Sequence, residues 1–298
     1  MSIAILIGVH DGLVLAADSA STLTLQQQPP PGVAMPGGTL VANVYDNANK
    51  IFNLVKGKSL GCVTFGSGSI GNASVGTLIK DFRKKLTAKE LGFDPEKYTM
   101  QRVAELLAEF MGEECEKLNP VASQNTTLGL LVGGYSSAGS LGESWSIEIN
   151  QGKPKPPTKL RKDEDPGISW GGMTEVVQRI VLGFSQSLFN VLAEVSAPKQ
   201  NAQAISQSLT PLLLARLQAP VIFAPMPIQD AIDLARFLVH SAIMYSRFTP
   251  GPQMVGGAIE IAVITKHEGF KWVSRKHYYN HEVNQEPTHV IVDQSAKN

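Results

Sequence analysis

The chain begins with two apolar runs that are too hydrophobic to face water on either side. Residues 3–9 read IAILIGV and residues 13–17 read LVLAA, and only His10, Asp11 and Gly12 separate them. A D-G step between two such runs predicts a β-hairpin. Strands that are apolar on both faces are typical of a sheet covered on both sides. The start of the chain is therefore predicted to lie inside a layered fold.

Further along the chain, hairpins and helices follow one another in groups. This order favours an α+β domain of packed layers over alternating βαβ units. Pro- and Gly-rich residues 26–38 are predicted to form a loop. The other predicted strands are residues 50–55, 60–65, 127–133, 143–149, 258–265 and 270–273. The predicted helices are residues 70–86, 98–118, 173–195, 200–217 and 228–246.

Charge and composition narrow the class of protein. The 26 basic and 26 acidic residues balance, which argues against a nucleic-acid partner because such proteins carry a basic excess. Only 17% of residues are charged, against about 25% in typical domains, which favours surface buried in a homo-oligomer. No apolar run reaches the ~18–20 residues of a membrane helix. No Lys or Arg precedes residues 3–9, so we expect a cytoplasmic protein without a secretory signal.

Ser2 is the first candidate for chemistry. A residue this small after Met1 predicts removal of the initiator methionine. Removal would leave a hydroxyl and a free α-amine on one residue, and that amine titrates near about 7.7–8.0. Nucleophile and base would then be adjacent, which is the N-terminal form of hydroxyl activation. Many chains begin with Met-Ser, so the dipeptide alone is equally compatible with an ordinary N-terminus.

A wider pattern gives Ser2 its significance. Residues 2–22, SIAILIGVHDGLVLAADSAST, resemble the first two strands of proteasome β-type subunits, which are Ntn-hydrolases. The resemblance continues at residues 49–54 and 64–68, and returns at residues 230–243 and 256–265. It spans roughly residues 2–275 and is weaker in the middle of the chain.

The resemblance implies one domain over residues 2–275. Its fold would be a four-layer αββα sandwich, with two antiparallel sheets between helix layers. The surplus length would belong to an inserted loop at 23–47, an extra helix at 198–219 and a C-terminal tail at 276–298.

The resemblance also implies roles for five residues. Ser2 falls on the N-terminal nucleophile and Thr22 on a residue whose backbone contacts substrate. Lys50 falls on the active-site lysine, whose charge would favour deprotonation of the hydroxyl, and Asp18 would keep that lysine charged and oriented. Gly66 falls on the glycine whose amide helps to form the oxyanion hole. Taken singly, Asp18 could be a turn acid, Lys50 a solvated strand-end lysine and Gly66 a strand terminator.

The sequence departs from the family pattern at three points. The nucleophile is a serine where the family has threonine. Residues 170–172 read WGG where the family has a Ser-Gly pair, and residues 247–255 lack the Asp and Ser that normally precede Gly256-Gly257. Two alternatives therefore stay open: a catalytically inactive ring or scaffold subunit, and an Ntn amidase that acts on a small-molecule amide.

The activity implied by the resemblance is hydrolysis of polypeptides in a self-compartmentalising homo-oligomeric ring. The enzyme would be a threonine-peptidase-like endopeptidase with a serine nucleophile, without cofactor or metal, and an ATPase partner is compatible with it. A metal site is the weaker reading of His277 and His281, four residues apart, with His289 further on.

Overall fold

The computed structural model describes residues 2–26, 39–162, 165–196 and 201–277. Strands in the first half are β1 Ile3–Val9, β2 Gly12–Ala17, β3 Ser21–Gln26, β4 Thr39–Tyr45, β5 Ile51–Asn53, β6 Leu60–Gly66, β7 Ser69–Ile70, β8 Ala73–Ser74 and β9 Leu128–Gly134. The later strands are β10 Glu143–Asn150, β11 Lys153–Pro154, β12 Thr158–Lys159, β13 Gly167–Gly172, β14 Glu260–Thr265 and β15 Gly269–Ser274. The helices are α1 Val75–Thr87, α2 Met100–Glu116, α3 Pro120–Gln124, α4 Glu175–Leu182, α5 Ser187–Val195, α6 Ala202–Leu217 and α7 Ile228–Phe248.

Two antiparallel sheets form the centre of the fold. The first has the order β13-β1-β2-β14-β15, and the second has β11-β10-β9-β6-β5 with β12 beside β10. Every residue of β1 and β2 is buried. The predicted first hairpin, covered on both faces, is therefore confirmed.

Three apolar clusters separate the layers. One lies between the sheets and includes Leu6, Leu15 and Leu131. A second packs α1 and α2 against the outer face of the second sheet, and a third packs α4 and α7 against the outer face of the first. The layer order is helices, sheet, sheet, helices, which confirms the predicted α+β αββα sandwich. Within the described residues, no helix is long and apolar enough to span a membrane.

The predicted helix over residues 173–195 is wrong as a single element. It ends at Leu182, and a second helix begins at Ser187. Gly183 causes the break, because its φ of +80° is left-handed and caps α4 as a glycine can. A Cβ on Gly183 would lie 2.7 Å from the carbonyl oxygen of Leu217, so the break also lets α6 approach. The helix predicted over residues 200–217 is found as α6 and contains Pro211.

Seven strands of the described residues were not predicted as strands, namely β3, β4, β7, β8, β11, β12 and β13. No strand is predicted over β13 because half of its sequence, GISWGG, is glycine, and the structure leaves the strand only partly buried. The predicted inserted loop at 23–47 has paired flanks, since β3 and β4 form an antiparallel ladder. Residues 27–38 and the tail from residue 278, including His281 and His289, lie outside the described residues.

Candidate active site

Ser2 is fixed by its main chain at the start of β1. Its carbonyl oxygen accepts a 2.7 Å hydrogen bond from the amide of Met173, just beyond β13. The next amide, that of Ile3, donates to Oδ1 of Asp18 at 2.9 Å. Ser2 is only 6% exposed. The residue is therefore held between β2 and β13 without help from its own hydroxyl.

Asp18, directly after β2, is fully buried and receives four donors. Oδ1 accepts from the amide of Ile3 and from Nζ of Lys50, the latter at 2.5 Å. Oδ2 accepts from the amides of Ala20 at 3.0 Å and Gly256 at 3.1 Å. Hydrogen bonds to the charged form favour a carboxylate over the acid. Asp18 thus joins four separate segments of the chain around one buried charge.

Lys50 lies just before β5 and is 5% exposed. Its backbone oxygen accepts from the amide of Thr64 at 2.9 Å, which fastens the residue to β6. Burial lowers the pKa of Lys50 from its ordinary value of 10.5, while the attraction of Asp18 acts in the opposite direction. The structural alternative of a solvated strand-end lysine is therefore wrong for this residue.

Gly66 ends β6 in a backbone conformation that other residues rarely adopt. Its φ is +91°, and a Cβ would lie 2.5 Å from the carbonyl oxygen of Thr127. The amide of Ser67 donates to that oxygen, whereas the amide of Thr64 points the other way, to Lys50. Because amides alternate in direction along a strand, the Gly66 amide is directed to the Lys50 side.

Four of the five residues singled out in the sequence share one small pocket. Ser2, Thr22, Lys50 and Gly66 all line it, and its volume is about 70 Å³. Asp18 lies behind the wall and reaches the pocket through its ion pair with Lys50. A buried lysine, a buried serine and a strand-end amide beside one cavity are the parts that acyl transfer needs.

Residues 247–255, which lack the Asp and Ser of the pattern that the sequence resembles, are held by apolar packing and by one serine of α7. Val255, directly before Gly256, is fully buried in the cluster between α7 and the first sheet. The hydroxyl oxygen of Ser246, on α7, accepts hydrogen bonds from the amides of Met254 and Val255 at 3.2 and 3.3 Å. Ser246 was not singled out in the sequence, because a lone helical serine carries no signal of this contact.

Gly172 is a further site residue that the sequence analysis did not assign. It pairs with Ile3 across the β1–β13 ladder, and its φ is +93°. A Cβ at this position would lie 1.8 Å from the carbonyl oxygen of Ser2. Both Trp170-Gly171-Gly172 and the Ser2 main chain therefore depend on the absence of a side chain here.

Replacing Gly172 by alanine is expected to destabilise the fold by more than the roughly 1–3 kcal/mol of a strained backbone alone. The added Cβ collides with backbone, which cannot rotate away. Gly57→Ala is the matched control, since Gly57 has a φ of +76° with no atom within 4 Å of the Cβ position. Urea unfolding of both variants measures the difference. Equal losses of unfolding free energy would contradict the assigned contact with Ser2.

Comparison with known proteins supports the fold. No protein-family profile and no curated protein matches the sequence. Anbu (ancestral beta-subunit) from Yersinia bercovieri aligns over 92% of this chain and 88% of its own, with 13% identity and a TM-score of 0.50. The Anbu (Gly-1) mutant from Hyphomicrobium sp. strain MC1 aligns over 94% and 90%, with 13% identity and a TM-score of 0.52. At this identity, what the chain shares with the two Anbu structures is their fold.

Proposed function

We propose that this chain hydrolyses amide bonds of polypeptides with Ser2, exposed as the N-terminal residue by removal of Met1. The observation that carries the proposal is the shared pocket of Ser2, Lys50 and Gly66, with the buried Asp18 bonded to Lys50. Two buried charges are costly to maintain. Their position beside a small N-terminal hydroxyl favours a chemical role over a purely structural one.

The reaction follows from the groups present. The free α-amine of Ser2 takes the hydroxyl proton as Oγ attacks the carbonyl carbon of the substrate. The resulting oxyanion would receive the Gly66 amide as donor. The amine then returns the proton to the leaving nitrogen, the C–N bond breaks, and an ester on Ser2 forms. Water, deprotonated by the same amine, hydrolyses this ester to a carboxylate and restores the hydroxyl.

Lys50 and Asp18 would set the electrostatics of these steps. The ammonium of Lys50 stabilises negative charge that develops on Oγ and lowers the proton affinity of the neighbouring amine. Asp18 keeps that ammonium in place through the 2.5 Å bond. Thr22, on β3 at the pocket wall, would contribute its main chain to binding of an extended substrate.

The pH profile of hydrolysis is expected to be bell-shaped. The rate rises as the α-amine loses its proton, at a pH below the roughly 7.7–8.0 of an ordinary α-amine because the charge of Lys50 lowers its proton affinity, and it falls as Lys50 loses its charge. Because burial lowers the pKa of Lys50, the falling limb lies below 10.5. In Lys50→Arg the falling limb is expected to disappear, since a guanidinium stays charged over this range.

The exposed Lys271 on β15 provides the control for that experiment. Lys271→Arg should keep the falling limb where it is in the wild type. A falling limb that survives unchanged in Lys50→Arg would mean that another group produces it.

Assembly into a homo-oligomeric ring is part of the proposal. The outer helices expose large apolar side chains, which other copies of the chain would cover. They include Val191, Val195, Leu212, Leu217, Phe237, Tyr245 and Phe248. Mass photometry that finds only a monomer would overturn this part of the proposal.

Intact mass and one covalent probe test the catalytic proposal directly. The purified chain should lack the mass of Met1, because a retained methionine would block the amine. A β-lactone should then add its full mass, since Oγ opens the ring and becomes an ester without loss of a leaving group. Peptide mapping should place the ester on Ser2. Retention of Met1, or an adduct elsewhere only, would overturn the proposal.

A further inference from the structure

Lys276 is a second cation near the first, and it is largely shielded from solvent. It follows β15, and its side chain is only 14% exposed. Its Nζ lies 2.7 Å from Oε2 of Glu260. The same atom donates to Oγ of Ser19 at 2.8 Å and to the carbonyl oxygen of Ala48 at 2.7 Å. One ammonium thus contacts three oxygens from three separate segments.

Two of those contacts are next to the proposed catalytic residues. Ser19 directly follows Asp18, and Ala48 lies two residues before Lys50. The amide of Ala48 also donates to the carbonyl oxygen of Ser19 at 2.9 Å. Lys276 therefore reinforces the junction between the segment that carries Asp18 and the segment that carries Lys50.

Glu260 is the counter-ion of Lys276, and its negative charge offsets the cost of shielding the ammonium from solvent. It begins β14, pairs with Ala17 across the β2–β14 ladder, and is 1% exposed. One carboxylate oxygen also accepts from the backbone amide of Lys276 at 3.4 Å. A buried ion pair often gives no more stability than apolar residues of similar volume, so stability alone does not explain this one.

We propose that Lys276, anchored by Glu260, is a positioning residue that fixes the backbone beside Asp18 and Lys50 and tunes the charge of Lys50. The inference rests on the proposed role of Lys50 in catalysis. Among the described residues, Lys276 is not one of those that line the pocket, but it bonds to Ala48, which is, so it acts through Ser19 and Ala48.

Burial is the largest cause of the lowered pKa of Lys50, and nearby charged groups modify it. Asp18 and Glu260 favour the charged form, whereas Lys276 disfavours it. The α-amine of Ser2 joins them once Met1 is removed. Removing the charge of Lys276 should therefore raise the pKa of Lys50, and removing the charge of Glu260 should lower it.

The experiment compares the full-length wild type with Lys276→Met, Lys276→Arg, Glu260→Gln and the double variant Lys276→Met/Glu260→Gln. Lys271→Met is the matched control, because Lys271 is exposed on β15. Two quantities are measured across pH. One is the rate of Ser2 acylation by a β-lactone, followed by intact mass. The other is the NMR titration of the ¹³Cε resonance of Lys50, assigned with Lys50→Arg, which does not require Ser2 to react.

Lys276→Met is expected to lower the maximal acylation rate about 10- to 100-fold, the scale of a small misplacement of reacting groups. The falling limb of its pH profile should move to higher pH, and the falling limb of Glu260→Gln should move to lower pH. In the double variant the falling limb should return towards its wild-type pH, while the maximal acylation rate stays low. Lys276→Arg should recover most of the rate, and Lys271→Met should match the wild type.

Several outcomes would overturn the inference. One is that Lys276→Met has the same acylation rate and the same falling limb of the pH profile as the wild type. Another is that all variants lose acylation rate while the falling limb stays at the same pH. If Lys276→Met does not fold, the inference is overturned when the falling limb of the pH profile of Glu260→Gln lies at the same pH as in the wild type. A wild type that is never acylated overturns the proposed function instead. The NMR titration then decides alone, and an unchanged Lys50 pKa in the folded variants refutes the tuning.

Discussion

Replacement of Ser2 by alanine is expected to reduce amide hydrolysis by at least about 10³-fold, the scale seen when a nucleophile is removed from a catalytic unit. The variant keeps the α-amine, the pocket and the Asp18–Lys50 pair, but no ester can form without Oγ. Because the main chain of Ser2 is held by Met173 and Asp18, the fold should not depend on the hydroxyl. Initial rates on a quenched fluorescent peptide measure the loss.

Ser2→Thr is the matched control for this variant. It keeps a hydroxyl on Cβ and adds one methyl group, so it should retain hydrolysis and form the β-lactone ester. Urea unfolding should show that Ser2→Ala and the wild type have similar stability. If Ser2→Ala hydrolyses the peptide as fast as the wild type, Ser2 is not the nucleophile, and another group or a contaminant is responsible.

A layered α+β domain could be predicted from the apolar patterns of the strands and helices, whereas the αββα order of the layers was implied by the resemblance to proteasome β-type subunits. β1 and β2 contain no charged side chain, and the apolar faces of α1, α2 and α7 recur with the period of a helix. The sequence of β13 has no such apolar pattern. Its glycines are required by tertiary contacts instead. A Cβ on Gly172 would collide with the main chain of Ser2, and a Cβ on Gly171 would collide with the ring of Phe65.

The candidate site shows the same division. Ser2, Asp18, Lys50 and Gly66 could be singled out only through the resemblance to proteasome β-type subunits, because each of them taken alone is compatible with an ordinary structural role. Lys276 and Glu260 could not be, since their contacts join residues 19, 48, 260 and 276 and depend on where β14 and β15 dock. Glu260 carried a weak signal, as the single acid in the apolar run EIAVIT.

The alternative of a catalytically inactive subunit makes a different prediction about the buried charges. In a purely structural protein, the Asp18–Lys50 pair could be replaced by apolar residues with little loss, as in other buried ion pairs. Here the carboxylate also serves three backbone amides. Its removal therefore combines the cost of breaking the ion pair with the cost of leaving backbone donors without a partner.

Asp18→Asn is expected to lower the free energy of unfolding by about 3–5 kcal/mol, the cost of breaking a buried ion pair from one side. Each carboxylate oxygen of Asp18 receives two donors. An amide has only one oxygen, so its NH₂ group would face two donors in either orientation. Those donors lose their acceptor, at about 1–3 kcal/mol for each buried group left unsatisfied. Lys50 also loses the charge that holds it.

Urea unfolding, with the midpoint and the slope both reported, measures this loss. Asp81→Asn is the matched control, because Asp81 is exposed on α1 and the same chemical change there should leave the free energy of unfolding within about 0.5 kcal/mol of the wild type. Hydrolysis by Asp18→Asn should fall along with stability, since Lys50 loses its anchor. If Asp18→Asn unfolds at the wild-type midpoint, the carboxylate does not hold the four donors, and the basis for placing a charged Lys50 beside Ser2 is lost.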